Sequence, residues 1–240
     1  MTSPAKKPVI VAMIPARLGS QRIPKKNLRL LGGRVLTQWV GQACIDAGIF
    51  DSIYINSESD VFAPIAAASG LSFYQRPTEL AGNGASNDDF ALDFINQVRC
   101  DVLVQVNPTS PFTSADDIRA LVRMFVEGDY KTVHTVKEEQ IEGLFQGRPL
   151  NFDPEKQMPP SQDLVPVQLF TSSIMAWDTA NFRQNMAAHG CAVYGGAQKT
   201  GYYVIRGEGM IDIDHEKDFN LAEAILTMKT QPAEKHYYEI

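Results

Sequence analysis

The stretch Val9-Ile10-Val11-Ala12-Met13-Ile14-Pro15-Ala16-Arg17-Leu18-Gly19-Ser20-Gln21-Arg22-Ile23-Pro24-Lys25-Lys26-Asn27 joins six apolar residues to a loop crowded with cations. The apolar run is too short to span a membrane and stops at Pro15, so it reads as a buried first strand. The loop behind it combines Gly, Ser and Pro with Arg17, Arg22, Lys25 and Lys26. Such a loop can aim backbone N–H groups and cationic side chains at one polyanion. Arg suits bidentate phosphate contact, whereas Lys acts as a point charge. The pattern is neither GxxxxGK[ST] nor GxGxxG, which excludes a Walker A loop and a dinucleotide fingerprint.

Working outward, short apolar runs alternate with helical spacing. A helix is expected over Val35–Ala47, a strand over Ser52–Asn56, a helix over Asp60–Ser69 and a strand over Leu71–Tyr74. A helix then runs from Ser86 to about Val98, a strand over Asp101–Val106, a helix from Ser114 to near Gly128 and a strand over Lys131–Val136. This alternation implies a doubly wound, mostly parallel α/β sheet of Rossmann-like type with right-handed crossovers. Ligands should sit beyond the carboxyl ends of its strands, so the loop after the first strand is the first place to look. Prolines 149, 154, 159, 160 and 166 break the pattern between Gly143 and Pro166, which reads as an extended arm or small flap. Residues 138–170 bound that arm. Beyond it come a strand over Val167–Trp177, a helix over Thr179–Ala188 and a strand over Tyr202–Ile205. The acidic turn Asp212–Asp214 and a last helix over His215–Met228 follow. The 240 residues fit a single domain, 1–240.

Hydrophobic residues at 44% and charged residues at 21% are ordinary globular values and exclude disordered and fibrous classes. Cys44, Cys100 and Cys191 are odd in number and widely spaced, which argues against a disulfide framework or zinc site. They read as small core residues of a reduced, cytoplasmic protein. No targeting or membrane-spanning segment is expected. The net charge of -6 disfavours nucleic acid as a partner. Its distribution says more, because no Asp or Glu precedes Asp46 although Arg17, Arg22, Lys25, Lys26, Arg29 and Arg34 do. A basic segment on an acidic protein marks either a local anion site or a solvated face. His134, His189, His215 and His236 form no catalytic pair and read as surface or loop residues, while Trp39 and Trp177 read as core or interface.

The loop carries a resemblance. With Arg17, Ser20, Lys26 and Asn27 in place, it is similar to the A-R-x-x-S-K-x-x-x-x-K-N opening of the acylneuraminate cytidylyltransferases, the CMP-sugar-acid synthetases. Gln21 stands where sialic-acid members have Lys, and the neighbouring Arg22 is placed to supply the charge, as an Arg does in the related 3-deoxy-manno-octulosonate (Kdo) enzymes. Arg76-Pro77-Thr78-Glu79-Leu80-Ala81 resembles the family's R-P-x-E-L-A, and Ala85-Ser86 the A-S after it. Asn107-Pro108-Thr109-Ser110-Pro111-Phe112 resembles Q-P-T-S-P-L, with Asn107 for the Gln that helps hold the sugar acid. Asp212-Ile213-Asp214 and the Glu216–Glu223 segment resemble the D-I-D-T-E-E-D-F-E-L-A-E ending.

The resemblance implies a nucleotide-diphospho-sugar transferase fold with a small dimerisation arm, a homodimer, and CTP plus a 2-keto sugar acid as substrates. It assigns Arg17, Arg22 and Lys26 to the triphosphate and the leaving pyrophosphate. Ala16, Ser20, Asn27, Arg76, Asn83 and Ser86 fall to the nucleotide, with a helix N-cap as the plain alternative for Ser86. Gln105, Asn107, Thr109 and Gln168 fall to the acceptor. Alternate residues of an extended segment point the same way, so Asp212 and Asp214 can converge on Mg2+; Asp214 is also expected to cap the last helix. Ser114 and Asp117 read as a capping box. Thr171 replaces the Arg that grips the sugar carboxylate in sialic-acid members, leaving Gln168, Gln105, Lys199 and Tyr202 as contacts. Other readings are Kdo or its 8-amino analogue as acceptor, or a non-catalytic nucleotide- or sugar-binding homologue.

Overall fold

A computed structural model describes residues 7–82 and 84–230. The apolar run forms β1 (Ile10–Pro15), which pairs in parallel on both sides and so needs apolar side chains on both faces. Ile10, Ala12 and Ile14 enter one core, and Val11 and Met13 the other. After the loop, β2 (Leu30–Leu31) and β3 (Arg34–Val35) make a hairpin across Gly32 and Gly33. Both glycines have positive φ, as a two-residue hairpin turn demands. The chain then alternates through α1 (Leu36–Ala47), β4 (Ser52–Ser57), α2 (Phe62–Ala68), β5 (Ser72–Gln75), α3 (Asn87–Gln97), β6 (Val102–Val106), α4 (Ala115–Glu127) and β7 (Thr132–Glu139). Capping boxes start α3 and α4, where Ser86 Oγ accepts from the Asp89 N–H and Ser114 Oγ from the Asp117 N–H.

The expected strand at 131–136 continues to Glu139, and the chain then leaves the sheet. Its excursion holds the short hairpin β8 (Leu144–Phe145) and β9 (Arg148–Pro149), whose residues are exposed. It returns as β10 (Val167–Asp178), antiparallel to β7 with Val167 opposite Glu139 and Trp177 opposite Thr132. Next come α5 (Thr179–His189), β11 (Thr200–Val204) and α6 (Glu216–Thr230). The seven-stranded sheet has the order β11-β7-β10-β6-β1-β4-β5, parallel except for β10.

Helices α1, α2 and α4 pack on one face, burying Val40, Phe62, Leu121 and Phe125. Helices α3 and α5 cover the other with Phe94, Ile95 and Phe182. A third cluster joins Ile23 of the basic loop to Leu31, Leu36, Ile213, Phe219 and Ala222. Each of its Ile, Leu and Phe side chains contributes about 1.5–3 kcal/mol on burial, so this cluster fixes the loop and the acidic turn to one support.

Two expectations fail here. His134 lies in β7, 2% exposed, against Phe170, Trp177 and Tyr194, because aromatic side chains of β10 and the loop after α5 fold over it. Cys191 is exposed just after α5, whereas Cys44 and Cys100 are buried; all three are free. Among the described residues no helix is long and apolar enough to cross a membrane.

Candidate active site

The loops after β1, β5 and β6 meet beyond the carboxyl ends of their strands. There they enclose a cleft of about 450 Å³ lined by Arg17, Arg22, Lys26, Arg76, Phe90 and Asn107 among others. The basic loop is held at its start and end. Asn27 Nδ2 donates to the Arg17 carbonyl at 3.0 Å, and the Leu18 N–H donates to Glu58 Oε1 at 2.8 Å. Ile23 is buried in the third cluster. Lys25 takes a left-handed backbone, φ 52, and turns the chain into a short 3-10 helix over Lys26–Leu28. A non-glycine residue there costs about 1–2 kcal/mol, and it turns Lys26 inward. Lys26 Nζ donates to the Ile213 carbonyl and lies 3.6 Å from Asp214. Burial holds its pKa below the ordinary lysine range, while Asp214 and Asp212 pull it back up. Arg22 also points inward, 3.0 Å from Asp214. Arg17, Ser20 and Gln21 complete this wall.

The acidic turn faces the loop. Ile213 sinks into the third cluster, so its neighbours Asp212 and Asp214 are sent to the other side. The Ile213 N–H donates to the Thr109 carbonyl at 2.8 Å, docking the turn against the segment after β6. Asp212 keeps an open surface, but the protein around it removes enough water to push its carboxyl pKa up. The Thr109 hydroxyl and Lys26 oppose that rise and Asp214 adds to it. The expected capping role of Asp214 is not seen. Asp218 instead accepts from the N–H groups of Asp214 at 3.1 Å and His215 at 2.7 Å, because the Asp214 carboxylate is taken up by Arg22 and Lys26. Among the described residues no three or more His, Cys, Asp or Glu side chains are grouped so as to hold a metal ion. Two hard carboxylate donors fit a divalent cation that keeps its other positions for phosphate oxygens and water.

The opposite wall holds Arg76, only 3% exposed, with Phe90 of α3 beneath it at 4.8 Å. Burial lowers its pKa, the Glu58 carboxylate at 3.7 Å resists this, and Arg17 reinforces it. Asn107 lines the cleft with its amide engaged: it donates to the Ser172 carbonyl at 2.6 Å and accepts from Gln105 Nε2 at 2.9 Å. Gln105 is buried beneath it and also donates to Asn87.

Several expected contacts are placed elsewhere. Ala16 is buried and its N–H is taken by Asn56. Ser86 caps α3 and does not line the cleft, and Asn83 lies outside the described residues. Gln168 sits where β7 and β10 run out towards the arm, donating to Glu138, because β10 passes the end of β6 there. A bulge at Ser172, φ 56, follows, and Thr171 is buried with its hydroxyl bonded by Ser173. Lys199 lies near the start of β11, its ammonium on the Gly128 carbonyl and the Tyr130 ring. Tyr202 packs on Phe170. The sequence reading missed Glu58, Phe90 and Asn87. The first residue after a strand and the first turn of a helix after a motif were the available signals.

A family model described as cytidylyltransferase matches residues 11–152. N-acylneuraminate cytidylyltransferase A of Danio rerio is 28% identical over 223 residues, covering 89% of this chain and 50% of the relative. The 3-deoxy-manno-octulosonate cytidylyltransferase of Synechococcus elongatus is 32% identical over 127 residues, 53% of this chain and 51% of that protein. The chain thus spans about half the length of the curated relatives it matches. A solved structure of CMP:2-keto-3-deoxy-manno-octonic acid synthetase complexed with CTP shares the fold. Its TM-score is 0.70 at 15% identity, over 92% of this chain and 99% of that one.

Proposed function

The chain belongs to the cytidylyltransferase family, and we propose that it transfers the cytidylyl group of CTP to a 2-keto sugar acid. The acceptor is a sialic or related nonulosonic acid, and the products are the CMP-sugar acid and pyrophosphate. One observation carries this reading: Arg17, Arg22 and Lys26 of one loop line a cleft at the strand ends, where Arg22 and Lys26 meet Asp214 of the acidic turn. The acceptor's anomeric hydroxyl oxygen forms a bond to the α-phosphorus as the bond to the bridging oxygen of the β-phosphate breaks in line. The hydroxyl proton passes to water or to a carboxylate of the acidic turn. Catalysis is then positioning and charge neutralisation. Arg17 and Arg22 pair with the phosphates and steady the departing pyrophosphate, while the buried Lys26 ammonium supplies charge from the floor. Arg76 with Phe90 forms the wall towards the nucleoside, and Asn107 with Thr109 faces the acceptor. Asp212 and Asp214 would hold Mg2+, which when bound polarises phosphate oxygens and offsets their charge.

The same transfer to Kdo or its 8-amino analogue is a second reading. It is favoured by the 32% identical stretch. The exposed apolar residues Ile141, Leu144, Phe145, Leu150 and Val165 on the arm suit a homodimer contact. Free thiols suit the reducing cytoplasm. The test is pyrophosphate release with CTP, UTP or ATP plus Mg2+ across a panel of sialic, legionaminic, pseudaminic and Kdo-type acids. Release with CTP and a nonulosonic acid is expected. CTP binding without release on any acid would leave only the non-catalytic reading.

A further inference from the structure

Glu58 follows directly on β4 and makes two contacts that no other side chain among the described residues makes. Its Oε1 accepts from the Leu18 N–H at 2.8 Å, and its Oε2 lies 3.7 Å from the Arg76 guanidinium. The residue is itself held: Ser57 Oγ is 3.4 Å from the carboxylate Oε2, and Gln75 Nε2 donates to the main-chain carbonyl of Glu58 at 2.6 Å. We propose that Glu58 is a positioning residue for polyphosphate binding, tying the start of the Arg17–Asn27 loop to Arg76 so that Arg17 and Arg76 face one anion. The identity of that anion as CTP rests on the cytidylyltransferase reading; the tether does not.

Charge alone gives no reason for a carboxylate here, because it repels phosphate. The hydrogen bond does. Among the described residues, Gly19, Ser20 and Gln21 make no hydrogen bond to the body of the protein, and Arg22 is tied only by its ion pair with Asp214. Leu18 adjoins Arg17, so its N–H is the last backbone anchor before that open span. Arg17 and Arg76 repel each other, so the Leu18 N–H bond to Glu58 is what holds the loop's start beside the buried guanidinium. Glu58 thereby sets the distance between two cations that come from separate strands.

Hydrogen-bond tether and bare charge partner predict different substitutions. Gln keeps an oxygen for the Leu18 N–H and loses the charge; Ala loses both. Inorganic tripolyphosphate binding by calorimetry, Leu18 amide exchange by NMR, and CTP KM and kcat are measured on the full chain. Glu58→Ala should weaken tripolyphosphate about tenfold, expose the Leu18 amide and raise the CTP KM more than it lowers kcat. Glu58→Gln should recover to within about threefold of wild type with the amide protected. Glu58→Asp, one methylene shorter at equal charge, should resemble Ala and serves where Ala does not fold. Gln as impaired as Ala, or Ala and Asp as tight as wild type, would overturn the proposal. A wild type that binds tripolyphosphate but turns over no CTP sinks the enzymatic reading, and the Leu18 exchange pattern still decides the tether.

Discussion

Arg22 and Asp214 stand 3.0 Å apart with both side chains partly open to solvent, and such a pair contributes only about 0–1 kcal/mol to stability. Its value is in the site. It keeps a guanidinium and a carboxylate facing each other where phosphate and a divalent cation would part them. Asp212 is the cleaner test, because among the described residues no cation is in ion-pair contact with it and its carboxyl is pushed up by desolvation. Asp212→Asn should raise the Mg2+ concentration for half-maximal pyrophosphate release about tenfold or more. An unchanged Mg2+ titration would remove Asp212 from the metal site. At this scale the sequence was readable where the pattern is local. Arg17, Lys26, Asn107 and Asp212 belong to short motifs, and all border the cleft or its acidic turn. Glu58 was not readable, since its contact to Leu18 spans forty residues and exists only once β1 and β4 pair. Gln168 was misplaced because nothing in Val167–Trp177 signals the bulge at Ser172 or the strand's overrun past β6.

Elements were legible from periodicity, and their neighbours were not. β7 is legible from its apolar residues, yet by sequence His134 within it reads as a surface or loop residue. In the sheet it is covered by Phe170 at 5.3 Å and Tyr194 at 5.8 Å. Burial lowers its pKa from 6.5 to about 4, and the Val193 carbonyl opposes the shift only in part. The folded protein thus binds fewer protons at His134 than the unfolded chain does. The stability this contributes is present above pH 6.5 and is lost as pH falls from there to about 4. The full effect is on the order of 3 kcal/mol. Thermal melts of wild type and His134→Phe between pH 7 and pH 4 should therefore diverge, the variant losing less Tm on acidification. Parallel curves would show that another group governs acid sensitivity in this region.

For the molecule as a whole, alternating strands and helices foretold a mostly parallel sheet, and it has one. The order of strands was beyond the sequence, because hydrophobic pattern marks a strand without saying which edge it joins. β10 enters between β6 and β7 only because the arm brings the chain back antiparallel. That arm exposes Leu144 and Phe145 at 63% and 62%, an unfavourable surface unless a second copy covers it. Sedimentation should give twice the 26.6 kDa chain mass, and Leu144→Asp with Phe145→Asp should shift it to the monomer. A wild-type monomer would contradict the dimer. The proposed role of the Arg17–Asn27 loop is to bind the triphosphate of CTP. Its most direct test is calorimetric binding of CTP and CMP, with Mg2+, to wild type and Arg17→Ala. Wild type should prefer CTP by a wide margin, and Arg17→Ala should lose about two orders of magnitude in CTP affinity while CMP changes little. Equal affinity of wild type for CTP and CMP, or an Arg17→Ala protein that keeps the preference, would contradict it.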